Sequence, residues 1–208
     1  MGERRHEDAL RFSPPDEVRD AQHRETVLPW SIDSETGVLT DVLLYRPDHY
    51  QWIETNAVAE RTLAAGRRID TQRLQAEFRE LEDALDQAGA KRHYVEPEPH
   101  PPYQVYTRDS SQTTPCGPAL TQLALAPRRG EIASILRFHG SHDGFWRYCS
   151  HGPIEGGDIH IIRPGLLVVG WSGIRTTREE ATQFALVRGR GMGDERRFRP
   201  VAEGAESA

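Results

Sequence analysis

The chain has 208 residues, of which 37% are hydrophobic and 28% are charged, and its formal net charge is −6. The length supports one domain with its own core, the negative charge without a basic stripe argues against a nucleic-acid partner, and no run of about 20 apolar residues predicts a membrane span. The two cysteines, Cys116 and Cys149, are too few for a disulfide framework or a cysteine metal site, and the N-terminus lacks an apolar secretory signal, so we expect a cytoplasmic chain with no metal and no cofactor.

The N-terminal part of the chain, residues 1–34, is charged and interrupted by prolines, with little hydrophobic periodicity. This composition predicts a flexible arm, in which Trp30 is the candidate for docking on the domain. A domain is expected over residues 35–187. Its first element is a buried strand over residues 37–46, which Pro47 ends.

The clearest helix pattern covers residues 71–88. Asp70 or Thr71 is placed to cap its start, and Gly89 stands where a left-handed residue ends many helices. A short strand is expected at about residues 92–95, so the order strand, helix, strand predicts an α/β unit. The apolar side chains of the helix form one stripe at Leu74, Phe78, Leu81 and Leu85.

The second half of the chain repeats this order. Strands are predicted over residues 103–109, 119–126 and 145–148, and a helix over residues 131–138. Two apolar runs, residues 159–162 and 166–170, flank an Arg-Pro-Gly corner and predict an antiparallel hairpin.

A last helix should begin after Thr176 and end near Ala185. From Arg188 onward the chain is rich in arginine and glycine and has no period, which predicts a disordered tail over residues 188–208. An alternative is that this tail is read out of frame and replaces the continuation of an interrupted enzyme.

Charged residues stand at both ends of the predicted hairpin. Glu155-Gly156-Gly157-Asp158 precedes it, and Arg175-Thr176 follows it. The paired glycines permit a tight backbone with room for something to approach. A carboxylate on one side and a guanidinium on the other would suit a small zwitterion, whereas the alternative is a hairpin that merely has charged ends.

Four short pieces in this order give the chain a family likeness. The sequence resembles the guanidine-modifying superfamily of arginine deiminases, dimethylargininases and amidinotransferases. The resemblance covers about residues 37–187 and implies an N-terminal portion of an α/β propeller, the pentein fold, built from repeated strand-helix-strand units. The pieces are Tyr106-Thr107-Arg108-Asp109, Pro127-Arg128-Arg129-Gly130-Glu131, Ile154-Glu155-Gly156-Gly157-Asp158, and Gly170-Trp171-Ser172 with Arg175-Thr176.

The resemblance implies that Asp109 and Glu155 are catalytic-site carboxylates that clamp the guanidinium of the substrate. Because a guanidinium is planar and carries five donors, bidentate carboxylates hold it well. Tyr106 stands where the arginine deiminases place an aromatic ring beside this cation, so a stacking contact is expected.

The resemblance also implies substrate-binding arginines. Arg128 and Arg175 match positions that bind the substrate carboxylate in arginine deiminases, although Arg129 could take the place of Arg128. Asp158 is expected to brace the loop instead of touching a ligand.

The family attacks the guanidinium carbon with a cysteine and uses a histidine as base. Neither residue stands in the expected place here: Cys116 and Cys149 do not match the nucleophile, and His160 does not match the base. We therefore expect the cation-binding half of an arginine-deiminase-like hydrolase, inactive alone.

The expected partner is an arginine-like small molecule with a guanidino group. The intact relative would hydrolyse arginine or a substituted arginine to citrulline and ammonia or an amine. Amidino transfer within the same superfamily, and a non-catalytic module that binds guanidino compounds or a partner chain, are the alternatives. A truncated propeller would leave apolar faces and strand edges uncovered, which predicts self-association.

Overall fold

The computed structural model describes residues 29–54, 57–163 and 166–191, with the side chains of the last helix described as far as Phe184. The strands are β1 (Asp41–Leu44), β2 (Lys91–Tyr94), β3 (Ser111–Thr114), β4 (Gly117–Leu120), β5 (Arg147–Tyr148), β6 (Ile159–Arg163) and β7 (Leu166–Val169). The helices are α1 (Ala57–Ala64), α2 (Thr71–Gln87), α3 (Thr107–Ser110), α4 (Ile132–Ser141) and α5 (Arg178–Gly191). Short 3₁₀ turns lie at Pro47–His49, Ala126–Glu131 and Gly156–Asp158.

Two strand-helix-strand units establish the α/β class. In the first, β1 and β2 are parallel neighbours and α2 lies between them in the chain. In the second, β4 and β5 are parallel neighbours and α4 connects them. Each helix provides the crossover connection that a parallel pair of strands needs. The predicted α/β class and both predicted units are confirmed.

The ends of α2 follow from its local sequence. The Asp70 side chain accepts a hydrogen bond of 3.0 Å from the backbone N–H of Arg73, which satisfies a donor that the helix cannot pair internally. Beyond the other end, Gly89 has a φ of +74°, a conformation that glycine adopts without strain. The helix, its cap and its end are as predicted.

Strand β4 lies between two hydrophobic clusters. Its neighbouring residues Ala119 and Leu120 point to opposite faces, as successive residues of a strand must, and both are fully buried. Around Ala119 lie Cys149, Ile154, Ile159, Ile161 and Phe184. Around Leu120 lie Tyr45, Val95, Ile135 and Phe138.

The described end of the predicted arm packs on the domain. Trp30 makes edge contacts with His93 and Phe138, with ring centroids 4.7 Å and 5.8 Å apart. Ile32 packs against the cluster around Ala119, and its N–H donates to the carbonyl of Thr114 at 3.2 Å. The predicted docking of Trp30 is confirmed; residues 1–28 lie outside the described residues.

The strand predicted over residues 103–109 is wrong. Residues 102–105 form a turn, and Thr107–Ser110 form the single helical turn α3, in which the N–H of Asp109 donates to the carbonyl of Tyr106 at 2.9 Å. The alternation of apolar and polar residues favours a strand locally, but packing of α3 against the turn Gly156–Asp158 overrides that preference.

Three boundaries also differ from the predictions. β1 is confined to Asp41–Leu44 and is only partly buried, and residues 37–40 before it are exposed. β4 begins at Gly117 and ends at Leu120, after which Gln122 adds one isolated bridge to Ile154. α5 continues to Gly191, past the predicted end at residue 185 and into the segment predicted as a tail.

The predicted antiparallel hairpin is confirmed. β6 and β7 pair with His160 opposite Val168, while residues 164 and 165 of the corner lie outside the described residues. The outer side of this hairpin, on which Ile162 and Val168 are each about half exposed, is here named the hairpin face. Across the described ranges, no helix is long and apolar enough to cross a membrane.

Candidate functional site

The paired glycines are required by the close approach of α3. A β-carbon on Gly156 would lie 1.9 Å from the carbonyl oxygen of Arg108, and one on Gly157 would lie 2.7 Å from Oδ1 of Asp109. Residues 155–158, here named the glycine loop, therefore lie directly against the helical turn that carries Asp109. Only a backbone without side chains lets the two segments meet this closely.

Glu155 is a buried carboxylate without a hydrogen-bond donor. Its side chain is 1% exposed, and neither Oε1 nor Oε2 accepts a hydrogen bond from any described residue. Its backbone is fixed, because its N–H donates to Oγ1 of Thr176 at 3.1 Å. Burial, and after it the charge of Asp109, raises the pKa of Glu155 against the opposing effect of Arg128 and Arg175.

Asp109 belongs to a chain of charged groups that runs into the core. Its Oδ2 accepts a hydrogen bond of 2.8 Å from Nη1 of Arg128. The other side of that guanidinium binds both carboxylate oxygens of the buried Glu131, at 2.8 Å and 2.9 Å. Burial alone would lower the pKa of Arg128, but the hydrogen bonds and charges of Glu131 and Asp109 outweigh burial and raise it.

The guanidinium of Arg128 is thus buried and already paired, while its predicted role in binding a substrate carboxylate stays a prediction. Arg128 is 5% exposed and is held by two carboxylates of its own chain. The alternative, Arg129, is exposed and donates to the carbonyl of Ala124 at 3.1 Å.

Arg175 lies on the solvent side of the glycine loop. Its side chain is 57% exposed, with Nη1 at 3.4 Å from Oε2 of Glu155 and Nη2 at 3.3 Å from Oδ1 of Asp158. Thr176 donates to Oδ2 of Asp158 at 2.6 Å. Asp158 thus braces the loop, as predicted, while Arg175 remains open to solvent on its outer side.

Tyr106 adds an aromatic ring at the edge of this cluster. It is 48% exposed, and its ring lies 5.8 Å from Cζ of Arg128, as does the ring of Tyr103. A cavity of about 540 Å³ adjoins Tyr106 on the side of α2, with Tyr50 and Trp52 among its walls. Tyr106 thus stands between the charged cluster and this cavity.

The structure places all five predicted site residues in one region: Tyr106, Asp109, Arg128, Glu155 and Arg175. Glu131 and Thr176, which hold Arg128 and the backbone of Glu155, carry no predicted role. The three-residue spacing of Arg128 and Glu131 could have indicated their ion pair, because residues so spaced are neighbours on one face of a helical turn.

Two further titratable side chains, Cys149 and His139, are buried away from these five residues. Cys149 is fully buried, and burial followed by the charge of Glu180 raises the pKa of its thiol to about 12. His139 is buried beside Ser111, and burial, then His142, lowers its pKa to about 4. In the three described ranges, no three or more His, Cys, Asp and Glu side chains are grouped so that they could hold a metal ion.

A family model described as "Arginine deiminase" matches residues 16–192. The chain belongs to the arginine deiminase family. This confirms the predicted superfamily of guanidine-modifying proteins. Of the pieces of sequence that predicted it in this family member, the one with Asp109 and the one with Arg175 contact the glycine loop, and the one with Arg128 reaches it through Asp109. No curated protein matches the chain by sequence.

Solved structures share the fold of this arginine deiminase family member. A DDAH from Pseudomonas aeruginosa, complexed with citrulline, matches with a TM-score of 0.60 and 18% identity over 74% of this chain and 58% of its own. A dimethylarginine dimethylaminohydrolase adduct with S-methyl-L-thiocitrulline gives 0.57 and 18%, over 73% and 57%. The N-terminal domain of ArgZ, a cyanobacterial arginine dihydrolase bound to substrate, gives 0.53 and 20%, over 71% and 54%. The chain thus spans little more than half the length of these structures.

Proposed function

We propose that this chain binds an arginine-like guanidino compound between Asp109 and Glu155, as the cation-binding half of a guanidine-modifying hydrolase. The observation that carries the proposal is Glu155, whose two buried oxygens find no donor among the described residues. A buried carboxylate that accepts no hydrogen bond costs free energy unless a cation or a proton compensates its charge. The largely exposed Arg175, 3.4 Å from Oε2, compensates that charge only in part. A guanidinium brings both the charge and the donors.

The neighbouring residues take complementary parts in this proposal. Asp109 offers its Oδ1, since Oδ2 is engaged by Arg128, and Arg128 positions that carboxylate instead of binding a ligand carboxylate. Arg175, exposed beside Glu155, is placed to hold the ligand's own carboxylate. Tyr106 offers the face of its ring to the bound cation.

The remaining features of the family are part of the same proposal. The two strand-helix-strand units would belong to an α/β propeller of the pentein type. Hydrolysis in the family needs a cysteine thiolate, whereas the thiol of Cys149 is buried and its pKa is about 12. We therefore propose that this chain alone binds the substrate without converting it.

Calorimetry with arginine and citrulline tests the binding proposal. Citrulline has nearly the same shape but no positive charge on its side chain, so arginine should bind and citrulline should bind much more weakly. Glu155→Gln should weaken arginine binding by about 10- to 150-fold, the worth of one hydrogen bond to a charged group. Glu98→Gln is the matched control, because Glu98 pairs with Arg137 at the surface and contacts no proposed site residue.

Two results would overturn the proposal: no arginine binding at millimolar concentration, or the same affinity in wild type and Glu155→Gln. Incubation with arginine, followed by measurement of citrulline, separates binding from turnover. We expect binding without citrulline release. Release that persists in Cys149→Ala would show that another group acts as the nucleophile.

A further inference from the structure

Glu35 reaches from the segment before β1 onto the helical turn of the site. Its Oε1 accepts hydrogen bonds from Nη2 of Arg108 at 2.6 Å and from the backbone N–H of Ile161, in β6, at 3.0 Å. Its own N–H donates to the carbonyl of Ile161 at 3.1 Å. Glu35 is therefore fixed to β6 by two hydrogen bonds to the backbone of Ile161, one from its own N–H and one to its side chain, and Arg108 is fixed to Glu35.

Arg108 bridges the two ends of the turn within the glycine loop. Its Nε donates to the carbonyl of Gly156 at 3.4 Å, and its Nη2 donates to the carbonyl of Ile159 at 2.7 Å. The carbonyl of Arg108 itself lies against the α-carbon of Gly156. Arg108 thus touches the glycine loop through both its side chain and its backbone, and it directly precedes Asp109.

We infer that Glu35 is a positioning residue that, through Arg108, sets the distance between the carboxylates of Asp109 and Glu155. Asp109 follows Arg108 in the chain, and Glu155 precedes the glycine that Arg108 holds. A shift of Arg108 therefore moves one carboxylate relative to the other. The inference rests on the proposed function, in which these two carboxylates receive the guanidinium.

The contact differs from an ordinary surface ion pair, which contributes little because its side chains are free to move. The side chains of Arg108 and Glu35 are 45% and 25% exposed, so it is the sharing of Oε1 with the backbone donor of Ile161 that fixes this pair. Burial opposes ionisation, but the Ile161 N–H, Arg108 and His160 together lower the pKa of Glu35, so the carboxylate stays charged. His160 Nδ1 lies 3.3 Å from Oε2 of Glu35 on its exposed side.

Three variants test this inference: Glu35→Ala, Glu35→Gln and the control Glu98→Ala. Glu35→Ala removes the contact, whereas Glu35→Gln keeps the oxygen that accepts from Ile161 and Arg108. Glu98→Ala removes a surface ion pair with Arg137 elsewhere. Arginine affinity should fall about tenfold in Glu35→Ala, the size of one charge-assisted hydrogen bond. It should be largely restored in Glu35→Gln and unchanged in Glu98→Ala.

A second measurement reports on geometry without a ligand. The Glu155 carboxyl is titrated by ¹³C NMR, and the groups that face it are Asp109, Asp158, Arg128 and Arg175. In Glu35→Ala the pKa of Glu155 should move down toward its ordinary value, because Asp109 retreats and water enters; Glu98→Ala should not move it.

The two measurements separate the inference from the function on which it rests. Wild type that binds no arginine refutes the function, yet the NMR titration still tests the positioning. An unchanged Glu155 titration in Glu35→Ala, or an equal change in Glu98→Ala, overturns the inference. If Glu35→Ala does not fold, Glu35→Gln decides: it must retain the titration of Glu155 and most of the arginine affinity.

Discussion

Replacing Glu155 by glutamine should stabilise the ligand-free protein while it weakens arginine binding. The carboxylate is 1% exposed and accepts no hydrogen bond from the described residues, so its charge is poorly solvated in the fold. Glutamine has nearly the same shape and no charge. Its amide also lacks partners, but an unpaired neutral group costs less than an unpaired charge.

The expected gain is about 1–3 kcal/mol at pH 8, within the range for relieving a buried unsatisfied polar group. Arg175 reduces the gain only slightly, since its side chain is 57% exposed and such pairs contribute less than about 1 kcal/mol. Arg128 keeps its two other carboxylate partners in the variant. For a chain of this length, the gain corresponds to a rise in Tm of about 2–12 °C.

The gain should depend on pH with a definite sign. The pKa of Glu155 is raised above its ordinary value of 4.5, so the native state keeps a proton that the unfolded chain has lost. Wild type therefore loses stability as pH rises from 4.5 through the native pKa, and the loss then stays constant. Glutamine does not titrate, so the difference between variant and wild type should be near zero at pH 4 and largest at pH 8.

Urea unfolding of both proteins at pH 4, 6 and 8 measures this difference. Glu180→Gln is the matched control, because Glu180 is equally buried but only its Oε1 accepts no hydrogen bond from the described residues. Its Oε2 accepts the N–H of His151 at 2.9 Å, and Oε1 lies 3.7 Å from Nη2 of the largely buried Arg147. Removing its charge should destabilise the protein. The reasoning fails if Glu155→Gln is no more stable than wild type at pH 8, or if its gain is the same at every pH.

Three further predictions follow from single positions. Gly156→Ala should prevent native folding, because a β-carbon there meets a backbone oxygen at 1.9 Å. In the control Gly140→Ala, where α4 has open space, the free energy of unfolding should rise by about 0.5–1 kcal/mol, as measured by chemical unfolding. Because the native pKa of His139 is lowered to about 4 from 6.5, wild type should lose up to about 3 kcal/mol as pH falls between these values, and His139→Gln should not show that loss in the same unfolding series. The half-exposed hairpin face should make the protein self-associate, so that its sedimentation coefficient rises with concentration. Val168→Lys should reduce this rise, and a wild-type monomer at all concentrations would contradict the prediction.

The sequence predicts best those elements whose causes lie within a few residues. α2 is predicted almost to the residue because its apolar stripe, its Asp70 cap and its Gly89 end all lie inside or beside it. The hairpin is predicted for the same reason, since two apolar runs and a Pro-Gly corner are adjacent.

α3 shows where such reasoning stops. The segment from Tyr103 to Asp109 reads locally as a strand, and nothing near it in the chain signals a helical turn. The deciding contact is the carbonyl of Arg108 against Gly156, 48 residues further on. A preference for strand that is worth a few tenths of a kcal/mol per residue gives way to such packing.

The candidate site, like the secondary structure, can be predicted from the sequence only in part. Its principal residues can be proposed from the sequence, because the resemblance points to Asp109 and Glu155 individually. The sequence cannot show that Asp109 is paired while Glu155 accepts no hydrogen bond. The pairing of Asp109 depends on Arg128, and the pairing of Arg128 depends on how far the fold buries Glu131. The contact of Glu35 with Ile161 spans 126 residues and leaves no local pattern.

The difference in pairing between Asp109, which binds Arg128, and Glu155, which accepts no hydrogen bond from the described residues, links stability to binding. Two arginines, Arg128 and Arg175, serve four acids in this region, and the deficit falls on Glu155, the one acid of the four whose carboxylate accepts no hydrogen bond from the described residues. The acids other than Glu155 are Asp109, Glu131 and Asp158. A ligand guanidinium supplies one of the two missing positive charges, together with donors for Glu155, so binding recovers free energy that the empty fold lacks. The ureido group of citrulline is neutral and cannot supply that charge. The same deficit therefore makes Glu155→Gln both more stable without ligand and less able to use one, and the two effects should appear together in a single variant.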